Sequence, residues 1–102
     1  MFTIRETKRY TRWMKKLKDR HAYLRIAARI ERLEQGNLGD HKNLGDISEL
    51  KIDYGPGYRI YYTQHGEEII ILLVGGNKQT QARDIKIARS MVKRLRKGKT
   101  DD

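Results

Sequence analysis

Hydrophobic and polar positions change period several times along this chain, and each change marks an element. Phe2 and Ile4 alternate with Thr3 and Arg5, a period of two that predicts a short strand. Tyr10, Trp13, Met14 and Leu17 then recur at helical spacing among Lys8, Arg9, Arg12, Lys15, Lys16 and Lys18, so a first helix carries a basic outer face. Asp19-Arg20-His21 interrupts it. Tyr23, Ile26, Ala27, Ile30 and Leu33 follow the i, i+3, i+4, i+7 rule as far as Gly36, a residue suited to the left-handed turn that ends a helix. The two segments predict an antiparallel helical hairpin.

Residues 36–48, GNLGDHKNLGDIS, repeat Asn-Leu-Gly-Asp at 37–40 and 43–46, which reads as two successive turns rather than a repeat architecture. From Glu49 the period of two returns. Leu50, Ile52 and Tyr54 point one way, Lys51 and Asp53 the other. After Gly55-Pro56-Gly57, where Pro56 and Gly57 supply the central backbone angles of a tight turn, Tyr58, Ile60 and Tyr62 share one face and Arg59, Tyr61 and Thr63 the opposite one. QHGEE at 64–68 makes a further turn, and IIILLV at 69–74 is apolar on both faces, as a central strand is. GGNKQT follows, then a last helix with Ile85, Ala88, Val92 and Leu95 as its buried stripe.

The order β-α-α-β-β-β-α predicts an α+β fold: a mainly antiparallel twisted sheet with a helical hairpin on one face and a C-terminal helix. Residues 1–98 form its single domain and 99–102 a disordered tail. Because the middle strands alternate, helices are expected to cover one sheet face only. The other face is expected to stay open and to present Lys51, Arg59 and Tyr61, with Lys78 arriving from the end of the central strand.

Length and composition narrow this picture. A chain of 102 residues buries one modest core, and the absence of cysteine removes disulfides, thiolate metal sites and cysteine nucleophiles. The longest apolar run falls far short of the ~20 residues of a membrane helix, and charge from Arg5 onward leaves no signal-peptide core. A soluble cytoplasmic protein with no membrane partner is expected. The formal net charge of +10 is unevenly spread: residues 1–35 hold 11 Lys/Arg against 4 Asp/Glu, residues 36–75 hold 3 against 6, and residues 76–102 hold 9 against 3. Such basic ends attract polyanions through counterion release, which points to a nucleic acid or an acidic protein.

On the open face, Arg59 would grip a phosphate bidentately, Lys51 and Lys78 would add point charges, and Tyr61 would stack a base. A site of this kind cleaves RNA without metal by aligning the ribose 2′-hydroxyl with its own phosphate and stabilising the charge that develops there. His21, His41 and His65 are the imidazoles available as acid or base, and each falls in a predicted loop or turn. No metal-ligand spacing, phosphate loop or GxSxG motif occurs, so no metal or cofactor is expected. Trp13 reads as a packing residue.

The stretches ELKIDYGPGYRIYY and IIILLVGGNKQTQARDIKIA, in this order of elements, resemble the RelE/ParE superfamily of bacterial toxins over nearly the whole chain, from Phe2 to about Leu95. More narrowly they resemble its addiction-module killer branch, related to HigB. The resemblance implies the toxin of a type II toxin-antitoxin pair, neutralised by an antitoxin that often carries a helix-turn-helix. RelE-like members are endoribonucleases that cut mRNA in the ribosome; ParE-like members share the fold but inhibit DNA gyrase. Arg59 in GYR matches the arginine RelE-type enzymes set against the scissile phosphate, Lys78 falls at their second cation, and Lys51 matches a strand lysine across a turn of different length. Lys15 and Lys16 on the basic helix would dock on ribosomal RNA. The C-terminal tyrosine of RelE-type enzymes has no counterpart in ARDIKIA, which leaves His65 or Asp84 as the substitute for proton transfer.

Overall fold

The computed structural model describes residues 1–98; the expected disordered tail lies outside the described residues. Strand β1 (Thr3–Glu6) leads into helix α1 (Lys8–Lys15) through Thr7, a buried N-cap. Its hydroxyl accepts from the Tyr10 N–H at 3.2 Å and lies 3.0 Å from the carbonyls of both Leu72 and Leu73, pinning the helix start to the sheet. Asp19, expected to interrupt the helices, caps the second one: its carboxylate accepts from the N–H groups of His21 and Ala22 at 2.9 and 3.2 Å. Helix α2 spans Arg20–Glu34 and ends at Gly36, whose φ of 92° suits a residue without Cβ.

Five strands form one sheet in the order β1-β5-β4-β3-β2. Strand β2 (His41–Asn43) was read from the sequence as loop, because its three residues are polar and exposed and carry no period. It pairs antiparallel with β3 (Ser48–Ile52), which pairs with β4 (Tyr58–His65), which pairs with β5 (Ile69–Asn77). Among the described residues only β1 runs parallel to its neighbour, with Thr3 opposite Ile69 and Glu6 opposite Leu72. The β3–β4 turn closes with a bond of 3.1 Å from the Gly57 N–H to the Tyr54 carbonyl, so Gly55 and Pro56 are its central pair rather than Pro56 and Gly57.

The strand faces divide as their alternation predicts, but neither face is left open. Leu50, Ile52, Ile60, Tyr62, Ile70 and Leu72 pack with Tyr10, Ile26 and Leu33 under α1 and α2. On the other side Tyr61, Leu73 and Val74 pack with Ile47, Ala88, Met91 and Val92 under helix α3 (Gln81–Arg96). The expectation of a single covered face fails for a simple reason. The apolar stripe of α3 and the second apolar face of β5 must bury each other, at about 1.5–3 kcal/mol for each fully buried aliphatic side chain. Leu73 is the extra residue of a bulge between Tyr61 and Tyr62, which turns both Leu73 and Val74 toward α3. Helix α3 packs mainly on β5 and β4 and touches β3 through Gln81, whose side chain reaches Glu49. Among the described residues no helix is long and apolar enough to cross a membrane.

Candidate functional site

Beside the start of α3, at the turn end of β3 and β4, three of the expected cations lie together. Lys51 and Arg59 are direct cross-strand partners on β3 and β4, and Arg59 pairs in turn with Gly76 on β5. A Cβ placed on Gly57 would lie 3.1 Å from Arg59 Nη1 and 3.7 Å from Lys78 Cβ, so the turn backbone brings Arg59 and the root of Lys78 together. Lys51 and Lys78 are exposed; the Arg59 side chain is 11% exposed.

Arg59 is held from two sides. Its Nη1 donates 2.7 Å to the Gly57 carbonyl, and its Nε lies 3.8 Å from Glu49 Oε2 without a hydrogen-bond partner. Glu49, 1% exposed, also accepts 2.8 Å from Gln81 Nε2 at the start of α3. A buried carboxylate is tolerated because a guanidinium and an amide stabilise it, and in return it fixes the arginine's position. Neither Glu49 nor Gln81 was singled out in the sequence. Glu49 carried a readable signal, a carboxylate two residues before Lys51 and therefore on the same strand face.

The floor of this arrangement depends on Gly76, where a Cβ would meet Asp84 Oδ2 at 1.8 Å and Thr80 Oγ1 at 2.6 Å. The Thr80 hydroxyl donates to Asp84 at 2.6 Å, and the Asn77 side chain accepts from the N–H groups of Gln79 and Thr80, closing a short 3-10 turn (Lys78–Thr80) onto α3. Asp84 is therefore close to the cations but buried and engaged, with Arg83 Nε 3.6 Å from its Oδ1.

Two expected site residues do not fit their assigned roles. Tyr61 is fully buried in the α3 core, so its ring offers no face for a base. Burial first, then the neighbouring Glu49 carboxylate, pushes its phenol well above the ordinary range. His65 is exposed at the far end of β4, roughly 20 Å from Arg59 at the usual ~3.3 Å rise per residue, too far for proton transfer there. Lys15 and Lys16 are both exposed at the end of α1 and diverge: Lys15 lines the groove toward α2, Lys16 a cleft toward α3. Among the described residues no three His, Asp or Glu side chains are grouped to hold a metal ion.

Residues 12–96 match the family of phage-derived Gp49-like proteins, DUF891. The chain belongs to the Gp49-like family. An uncharacterized protein of Haemophilus influenzae is 45% identical to this Gp49-like chain over 93 residues, covering 90% of it and 94% of the relative. Among solved structures, a double mutant of the E. coli toxin RelE in its free state superposes with a TM-score of 0.59 at 19% identity, covering 83% of this chain and 95% of that one. At that identity the likeness is one of fold: the Gp49-like chain has a RelE-like fold.

Proposed function

We propose that this protein is the toxin of a type II toxin-antitoxin pair, related to the HigB branch, that arrests translation in the cytoplasm by cutting mRNA on the ribosome. The observation that carries the reading is the convergence of Lys51, Arg59 and Lys78 at the turn end of β3 and β4, supported by the RelE-like fold and the net charge of +10. Arg59 would contact the scissile phosphate, where charge builds as the 2′-hydroxyl attacks; Lys78 would share that charge and Lys51 would orient the strand. Within this reading catalysis is positioning and charge stabilisation, since His65 is remote and Asp84 is engaged with Thr80. A small antitoxin with a helix-turn-helix is the expected neutralising partner.

The test is primer extension on message from a cell-free translation reaction, with ribosome-free RNA as control. Arg59→Ala would leave Glu49 buried and unpaired, so Arg59→Lys is the better variant: it keeps the charge and loses the planar fork. Ribosome-dependent cuts that fall about 100-fold in rate with Arg59→Lys are expected. Intact message with arrested growth would replace this reading with ParE-like inhibition of gyrase.

A further inference from the structure

A second concentration of charge lies on the other side of β5. Helices α1 and α3 flank a cleft of about 400 Å³ into which Arg9, Arg12, Lys16 and Arg83 face. Arg9, Arg12, Trp13 and Lys16 are spaced i, i+3, i+4, i+7, one stripe of α1; Arg83, 71% exposed, comes from the first turn of α3. Asp84 is the one carboxylate among the lining residues, and it is buried under the Thr80 hydroxyl. Four cations thus share a small concave space with one engaged acid, unlike a solvated helix face whose charges diverge into water.

The wall of the cleft is aromatic and rigid. The Trp13 indole lies on Gly75, where a Cβ would come within 2.2 Å of the ring. Its ring centroid is 6.0 Å from that of Tyr10 and 6.1 Å from that of Tyr58, so neighbours on both sides fix its orientation. Gly75 precedes Gly76, the register partner of Arg59, so the cleft and the sheet-end cations flank the same point of β5.

We propose that this cleft binds the phosphodiester backbone of single-stranded RNA, and that it supplies more of the affinity than Arg59 does. Affinity for a nucleic-acid backbone comes from exposed cations that displace condensed counterions. Arg9, Lys16 and Arg83 are exposed, Arg83 to 71% even with its Nε 3.6 Å from Asp84, whereas Arg59 beside Glu49 is only 11% exposed. Binding and chemistry are then separated: the cleft holds the strand and Arg59 acts on it. The choice of RNA rests on the function proposed above, but the binding test needs neither ribosomes nor cleavage, so the two fail separately.

Trp13 is the single tryptophan, which makes its emission a reporter inside the cleft. The experiment titrates the full chain with a short oligouridylate, reading Trp13 emission and the anisotropy of end-labelled RNA across a salt series. Saturable change in both signals is expected. The triple variant Arg9→Gln/Lys16→Gln/Arg83→Gln is expected to bind about 100-fold more weakly near 0.1 M salt and to flatten the log–log salt slope by about 2, from three contacts at ~0.7 each on a single strand. Arg59→Gln is expected to lose less. A second triple, Lys42→Gln/Lys93→Gln/Arg94→Gln, has the same net charge with its changes elsewhere on the exposed surface, and is expected to lose less than the cleft triple. Should the cleft triple fail to fold by circular dichroism, each single change is expected to cost about 5-fold. Equal losses in both triples, a larger loss with Arg59→Gln, or RNA binding that leaves Trp13 emission unchanged would overturn the proposal.

Discussion

Arg59 illustrates how a buried partner defines an exposed-looking cation. With Glu49 removed, its guanidinium stays covered and uncompensated, so Glu49→Ala is expected to lower unfolding free energy in urea by about 3 kcal/mol. The paired change Glu49→Leu/Arg59→Leu should recover most of that stability while abolishing cleavage. A double variant as unstable as the single one would show that the two residues are not coupled. The sequence made Arg59, Lys51 and Lys78 legible because strand period and turn position dictate where they stand. It hid the pairing of Glu49 with Gln81, which joins positions 32 residues apart and depends on α3 reaching across to β3.

Individual elements set what those residues can reach. Strand β4 carries Arg59 near one end and His65 at the other, so its length alone removes the imidazole from the site. His65→Gln is expected to leave the cleavage rate unchanged; a fall of about 10-fold or more would show a role at a distance the fold does not allow. The end of β5 is equally constrained. Gly76→Ala would drive a methyl into Asp84 and Thr80 and displace the start of α3, a cost of more than about 3 kcal/mol that thermal melting would report. Periodicity revealed β1, β3, β4 and the three helices, and an unbroken apolar run revealed β5. It missed β2, three exposed polar residues held by hydrogen bonds to β3, and the bulge at Leu73, which no local pattern announces.

For the whole molecule, the decisive departure from the sequence reading is that both sheet faces are buried. A sheet between two helical layers places Tyr10 in one core and Tyr61 in the other, and burial raises both phenol pKa values above the ordinary 10. The unfolded chain would release these protons near pH 10 while the folded chain keeps them. Their contribution is therefore fully present below pH 10 and is lost progressively as pH rises above it toward the folded values. Urea midpoints are expected to hold to pH 9 and fall beyond it, with a shallower fall in Tyr61→Phe. That variant should stay within about 1 kcal/mol of the parent at pH 7, since the hydroxyl it removes has no hydrogen-bond partner. An equally steep alkaline fall in the variant would remove Tyr61 from this account.

The parallel pairing of β1 with β5 gives the molecule an order of assembly. Thr3 has no strand to lie against until Ile69 exists, and Arg59 is not locked until Gln81 reaches Glu49. A growing chain therefore carries its first strand unpaired through most of its synthesis, and such distant pairings are slow to form. Fragments stopped before the fifth strand can complete neither core, so a broken message or a stalled ribosome yields a chain without the Arg59 site. The topology itself delays assembly of the site until most of the described chain has been made.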